Sequence, residues 1–213
     1  MGGIVRLGGT PPAAREITPI RADRLCGPLH AAPVMTRTYV VGDDRGLGDV
    51  VVSVTSGLEG KTFTAPAESP LIDQIGCIYV PLVTTVMTNQ PFRVRNSDAF
   101  MHNVNAQARV NRGFNFAQAT KGQENTRVFS EPESAIKFIC NVHPWMSGYV
   151  WVFPHPFHAV TDKDGRWKFS QPLPPGRYEV TFTHLRAGTK TATVEVTAAG
   201  APNLEAELQV PSS

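Results

Sequence analysis

Apolar residues recur along this chain with a period of two, and a helical period is hard to find. The stretch "QPFRVRNSD" (90–98) alternates: Phe92 and Val94 face one way, Arg93 and Arg95 the other. "AIKFIC" (135–140) puts Ile136, Phe138 and Cys140 on one face, and "YVWVF" (149–153) follows it. "DVVVSVTSG" (49–57) is β-branched and ends in a turn. "HAVTDKDGRWKFS" (158–170) reads as a hairpin with Asp164-Gly165 in its turn, and "GRYEVTFTH" and "KTATVEVT" extend the series. The pattern predicts an all-β protein built as β-sandwiches. One short helix is expected near residues 113–119. Two segments lack the alternation. Residues 8–35, with Pro11, Pro12, Gly27, Pro28 and Pro33, read as a surface excursion. Residues 111–134, polar and holding Gly113, Gly122 and Pro132, read as a long connection between strands.

Composition changes this picture little. At 213 residues the chain has room for one large or two small domains. It is 41% hydrophobic and 18% charged, ordinary for a globular protein. Its 18 glycines and 18 prolines are spread along the chain, which suits many short strands joined by turns. No apolar run is long enough to span a bilayer. The net charge of +2 is too small and too evenly spread to argue for nucleic acid. No secretory leader pattern stands at Met1, so a compartment has to be inferred from chemistry.

The chemistry concentrates in "FICNVHPWM" (138–146). Taken one at a time, a buried cysteine, a core methionine and a lone histidine mean little. Together, Cys140, His143 and Met146 sit at a strand end and in the loop after it. A thiolate, an imidazole and a thioether suit copper cycling between Cu(I) and Cu(II), whereas a thioether is a poor zinc ligand. Upstream, "NSDAFMHNV" (96–104) offers His102 where an alternating strand ends in a polar turn. His102, Cys140 and His143 make a His₂Cys trigonal set, with Met146 as the weak axial ligand. If Cys140 is a ligand, Cys26 and Cys77 remain, either as a disulfide, which points outside the cytosol, or as two buried thiols.

At these residues stretch 90–153 resembles the cupredoxin family of type 1 copper proteins, in its amicyanin- and plastocyanin-like branch. The carriers of the resemblance are the compact Cys-x-x-His-Pro-x-Met loop and the upstream His102-Asn103-Val104. The resemblance implies a Greek-key sandwich over about 65–154, one mononuclear copper, and one-electron transfer. It implies that Asn103 ties the two ligand loops together by hydrogen bonds. Pro144 has no N–H to give the sulfur, which should raise the reduction potential. Phe100, Met101 and Trp145, with Pro144, are candidates for an apolar docking collar around an exposed edge of His143; the bland alternative for Trp145 is packing in the sandwich.

A second resemblance covers the rest. "HAVTDKDGRWKFSQPLPPGRYEVTFTH" (158–184) resembles the carboxypeptidase regulatory-like, or transthyretin-like, sandwich. The recognisable parts are Thr161-Asp162, Asp164-Gly165, Trp167, Phe169 and Pro175-Gly176-Arg177-Tyr178. That family opens with a strand and turn like "GGIVRLGGTPP", here near the start of the chain, and "LGDVVVSV" matches its second strand. A discontinuous domain is therefore expected, residues 1–64 with 155–213, with the copper domain inserted. Four strands alone make a small core. The layout is similar to that of bacterial secreted proteins described as methylamine-utilisation-like. Such relatives often carry a histidine where Leu82 stands, and leucine cannot ligate.

The other histidines, His30, His155, His158 and His184, have bland readings; for His155 and His158 a second metal is disfavoured, since no carboxylate or cysteine accompanies them. No nucleophile–base pair or phosphate loop stands out. The expectation is a periplasmic or extracellular electron carrier, not an enzyme. A c-type cytochrome or a dehydrogenase is its expected partner by family analogy. The competing reading is a copper carrier or a docking subunit of a larger redox assembly.

Overall fold

The computed structural model describes residues 1–211; the last two residues of the expected 155–213 segment lie outside them. Sixteen strands are found among the described residues. In chain order they begin with β1 (Gly2–Gly8), β2 (Val51–Ser56), β3 (Leu71–Ile75), β4 (Ile78–Val80), β5 (Val83–Met87) and β6 (Phe92–Asn96). There follow β7 (His102–Gln107), β8 (Phe114–Gln118), β9 (Glu124–Arg127), β10 (Glu133–Ile139) and β11 (Ser147–Phe153). The last are β12 (His158–Val160), β13 (Arg166–Lys168), β14 (Gly176–His184), β15 (Gly188–Val196) and β16 (Leu204–Gln209). One α-helical turn, α1, spans Thr18–Ala22. The chain is all-β, and it divides into two compact units.

The first unit comprises Met1–Ala13, Arg37–Thr64 and His155–Ser213. Its sheets run β13-β1-β16 and β12-β2-β14-β15. Val5, Leu7, Val52, Val54, Phe157, Trp167, Phe169, Tyr178, Val180 and Phe182 fill the space between them. The hairpin expected over 158–170 is only half present. Its turn forms, with the Gly165 N–H on Asp162 O at 3.0 Å, but β12 pairs with β2 while β13 pairs with β1. The turn is thus a corner between sheets. Gly165, at φ +77°, passes so close to the backbone of Val5 and Leu47 that no side chain fits.

The second unit comprises Ala14–Thr36 and Ala65–Pro154. Its five-stranded sheet runs β5-β11-β10-β7-β8 and its four-stranded sheet β4-β3-β6-β9. The alternation of β6 puts Phe92 and Val94 inside. A bulge between Glu133 and Ile136, with Ala135 at φ +53°, sets the phase of β10 so that Ile136, Phe138 and Cys140 are all buried. The rings of Phe92, Phe114, Phe129 and Phe138 meet between the sheets.

Three expectations are corrected in this unit. Residues 113–119 are not helical: Phe114–Gln118 is β8, paired along β7, because Phe114 and Phe116, two apart, can share one face only in a strand. The stretch 111–134 is not a bare connection, since it carries β8 and β9. Residues 14–36 run over the surface, as an excursion should, but belong to the second unit and not the first: Ile20 and Cys26 are buried in the second unit's core, and a disulfide joins Cys26 to Cys77.

Candidate metal centre

Two strand ends in the five-stranded sheet present the chemistry. His102 opens β7 after a turn organised by Asn96, whose Nδ2 donates to Phe100 O at 2.8 Å and whose Oδ1 accepts the Asp98 N–H at 2.9 Å. Cys140 follows β10, the neighbour of β7. The turn after it is closed by the Met146 N–H on His143 O at 2.9 Å. The adjacency of β7 and β10 therefore brings together residues far apart in sequence.

The ligating atoms of His102, Cys140 and His143 all lie within 4.8 Å of one another. The two Nδ1 atoms face each other at 3.0 Å, and Cys140 Sγ is 3.7 Å from His143 Nδ1. All three residues are buried, as is Met146 in the same core cluster. Such spacings fit a first-row ion held by bonds of about 2.0–2.3 Å. Two imidazoles and a thiolate so placed could hold a metal ion of the borderline-to-soft kind.

Electrostatics prepare the donors. Burial disfavours the Cys140 thiolate, but His102 and the backbone N–H groups of Asn103, His143 and Val142 outweigh it, so the thiol pKa lies below its ordinary value. The Asn103 N–H reaches Sγ at 3.3 Å. Burial also opposes charge on His102, yet the Asp98 carboxylate, then the sulfur, raise its pKa. Burial and then the positive charge of His102 lower the pKa of His143.

Asn103 bridges the loops that carry His102 and Cys140: its Oδ1 accepts the Asn141 N–H at 3.2 Å, and its Nδ2 donates to Asn115 Oδ1 and Phe116 O. Two contributors escape the sequence reading. Asp98 Oδ2 lies 2.8 Å from His102 Nε2, and an acid four residues before the histidine in a polar turn was the only signal. The Tyr79 hydroxyl donates to the Asn103 carbonyl at 3.0 Å with the Ile139 carbonyl also in reach.

The expected docking collar is corrected. His143 has no open edge; it is only 3% exposed. Phe100 and Trp145 are half-buried and pack on the His143 ring at 6.1 and 5.2 Å. The Trp145 indole N–H donates to Cys77 O at 3.1 Å. Of the three named aromatic and methionine positions, Met101 is the most exposed. Pro144 is exposed at the turn. His155 and His158 stand in the first unit. Burial, and for His158 also the neighbouring His155, lower both pKa values.

No family model and no curated protein matches the chain. Among solved structures it is similar in part to a copper-containing nitrite reductase from Thermus scotoductus SA-01. The identity is 19% and the TM-score 0.38, over 47% of this chain and 25% of that one. The chain thus spans about a quarter of that enzyme's length. It is likewise similar to a purple cupredoxin from Nitrosopumilus maritimus, at 23% identity and TM-score 0.35, over 39% of this chain and 99% of that one. An oxidised amicyanin variant is similar at 22% identity and TM-score 0.36, over 47% of this chain and 91% of that one.

Proposed function

We propose that the second unit is a type 1 copper protein that moves single electrons between redox partners. The observation that carries the reading is the meeting of two imidazole nitrogens and one thiol sulfur within 4.8 Å in a buried place. His102, Cys140 and His143 would hold the ion, with Met146 as the weak fourth donor. Bound there, copper supplies a one-electron Cu(II)/Cu(I) couple. The chain's own part is to fix the donors at the ends of hydrogen-bonded strands. Asn103 and Tyr79 brace both loops, so the donors move little when the site's charge changes. Aromatic side chains and core residues keep water away.

The burial of the donors favours a resident ion over a delivered one, because handing metal to an acceptor needs an open side. The protein so read is a carrier of electrons and not an enzyme. Its partner is a redox protein of the c-type cytochrome or dehydrogenase kind, and its compartment is periplasmic or extracellular, where the Cys26–Cys77 disulfide persists. The first unit is read as a transthyretin-like sandwich interrupted by the copper domain.

The test is to add Cu(II) to the purified chain and record the visible spectrum. An intense thiolate-to-copper band that bleaches reversibly with ascorbate, and that Cys140→Ser abolishes, is expected. A colourless copper complex, or a band that survives Cys140→Ser, overturns the reading.

A further inference from the structure

We propose that residues 14–36 are a fixed cover, stapled by the Cys26–Cys77 disulfide, that closes the His143 side of the site and controls what reaches it. Its meaning as access control rests on His143 being a ligand, as read above.

The geometry of the cover is specific. The Sγ atoms of Cys26 and Cys77 and a ring nitrogen of His143 lie within 4.8 Å of one another. Both cysteines are 0% exposed. The segment is closed at its base, where Ile17 N–H donates to Val34 O and Thr36 N–H to Arg15 O, each at 2.8 Å. Within it, Asp23 Oδ1 accepts the N–H groups of Leu25 and Cys26, at 2.8 and 2.9 Å, which turns Cys26 inward. On the site's side the β3–β4 turn answers it. His30 Nε2 is 2.8 Å from Gly76 O, and Gly76, at φ +62°, leaves room for the His30 ring where a Cβ would stand 2.8 Å from it. Near the base, Ile20 anchors the segment in the core.

The physical consequence follows from what the cover brings to His143. A disulfide is apolar and offers no strong hydrogen-bond donor, so it displaces water from the imidazole without replacing its bonds. Small anions and chelators then have no path to the metal from this side, while an electron needs no path for atoms. The complete burial of both sulfurs makes the bond a structural staple, out of reach of dithiols in the folded state.

The test uses the full-length chain without metal. Acylation of histidines by diethyl pyrocarbonate is followed by peptide mass spectrometry in wild type, in Cys26→Ser/Cys77→Ser, and in His30→Ala, which loosens the cover with the disulfide intact. Slow amide exchange in β10 identifies conditions in which the unit is folded. His143 is expected to react at least about tenfold faster in the double variant, and by a smaller factor in His30→Ala, with His184 in the first unit unchanged. Equal His143 rates in folded wild type and both variants overturn the proposal. In copper-loaded protein, release of Cu(I) to bathocuproine should accelerate in the same order. A chain that shows the acylation difference but binds no copper overturns the copper reading and upholds the cover.

Discussion

Asp98 fixes the direction in which His102 points. Its Oδ2 lies 2.8 Å from His102 Nε2 and also accepts the Cys77 N–H at 2.9 Å, while Oδ1 accepts the Gly76 N–H at 2.8 Å. With Nε2 engaged, Nδ1 is the atom left to face His143. One carboxylate thereby ties the first imidazole to the turn that carries the disulfide.

Asp98→Ala leaves the imidazole, the buried Cys77 N–H and the part-buried Gly76 N–H without their acceptor. Each such orphan costs about 1–3 kcal/mol, so a loss of roughly 3–5 kcal/mol in urea unfolding is expected. Asp98→Asn keeps one acceptor and should lose less. Copper affinity should fall by about 10–100-fold in the alanine variant, read by competition with a chelator. Wild-type stability and affinity in Asp98→Ala would show that the contact is idle.

Tyr79→Phe removes a buried hydroxyl and nothing else. The Asn103 and Ile139 carbonyls, which belong to β7 and β10, lose their shared neighbour. A destabilisation of about 1–2 kcal/mol is expected. A calorimetric or urea measurement within error of wild type would refute the bracing role.

Gly165→Ala should damage the first unit far more than Gly122→Ala damages the second. Both glycines have positive φ, but a Cβ at Gly165 would stand 2.1 Å from Val5 O, whereas at Gly122 nothing lies within 4 Å. Left-handed strain alone costs about 1–2 kcal/mol, so Gly122→Ala should lose no more than that. Gly165→Ala adds a backbone clash and should lose several kcal/mol or fail to fold. Equal losses would mean that the corner can open.

Stability of the first unit should fall with acid. His184 Nδ1 accepts the N–H groups of Arg186 and Ala187 at 3.2 and 3.0 Å, so the ring must keep a lone pair there. Burial, then the charge of Arg186, lower its pKa from 6.5 to about 4, and burial does the same to His158. Between those values the unfolded chain takes up protons that the folded rings refuse. Folding free energy should therefore drop as pH falls from 6.5 towards about 4. At about 1.4 kcal/mol per unit the limit is roughly 3 kcal/mol per ring. Urea midpoints that do not change across this window would contradict the assignment.

Much of this was legible in the residues. The alternation of "FRVRN" and "AIKFIC" is a direct imprint of one buried and one exposed sheet face. The candidate donors stand out in the sequence because a thiol, an imidazole and a thioether crowd one strand end. What escaped has physical reasons. Asp98 looks like a solvated turn acid until three donors converge on it. Phe114 and Phe116 sit in a polar stretch, where two aromatics two residues apart were the only mark of β8. The cover mixes prolines, charged and apolar residues without a period, and its burial depends on Ile20 and on a bond to a residue 51 positions away. Local turn chemistry forms the corner at Gly165 but does not say which neighbour each flanking strand will take.

The parallel pairing of β1 with β16, with Gly3 opposite Leu204, imposes a timetable on the newborn chain. Because β1 leaves the ribosome about two hundred residues ahead of β16, its sheet stays incomplete until β16 follows. At about 5–20 residues per second that wait is on the order of 10–40 s. The mid-chain unit, whose strands have all emerged once Pro154 is clear, has no such wait and should mature ahead of its host.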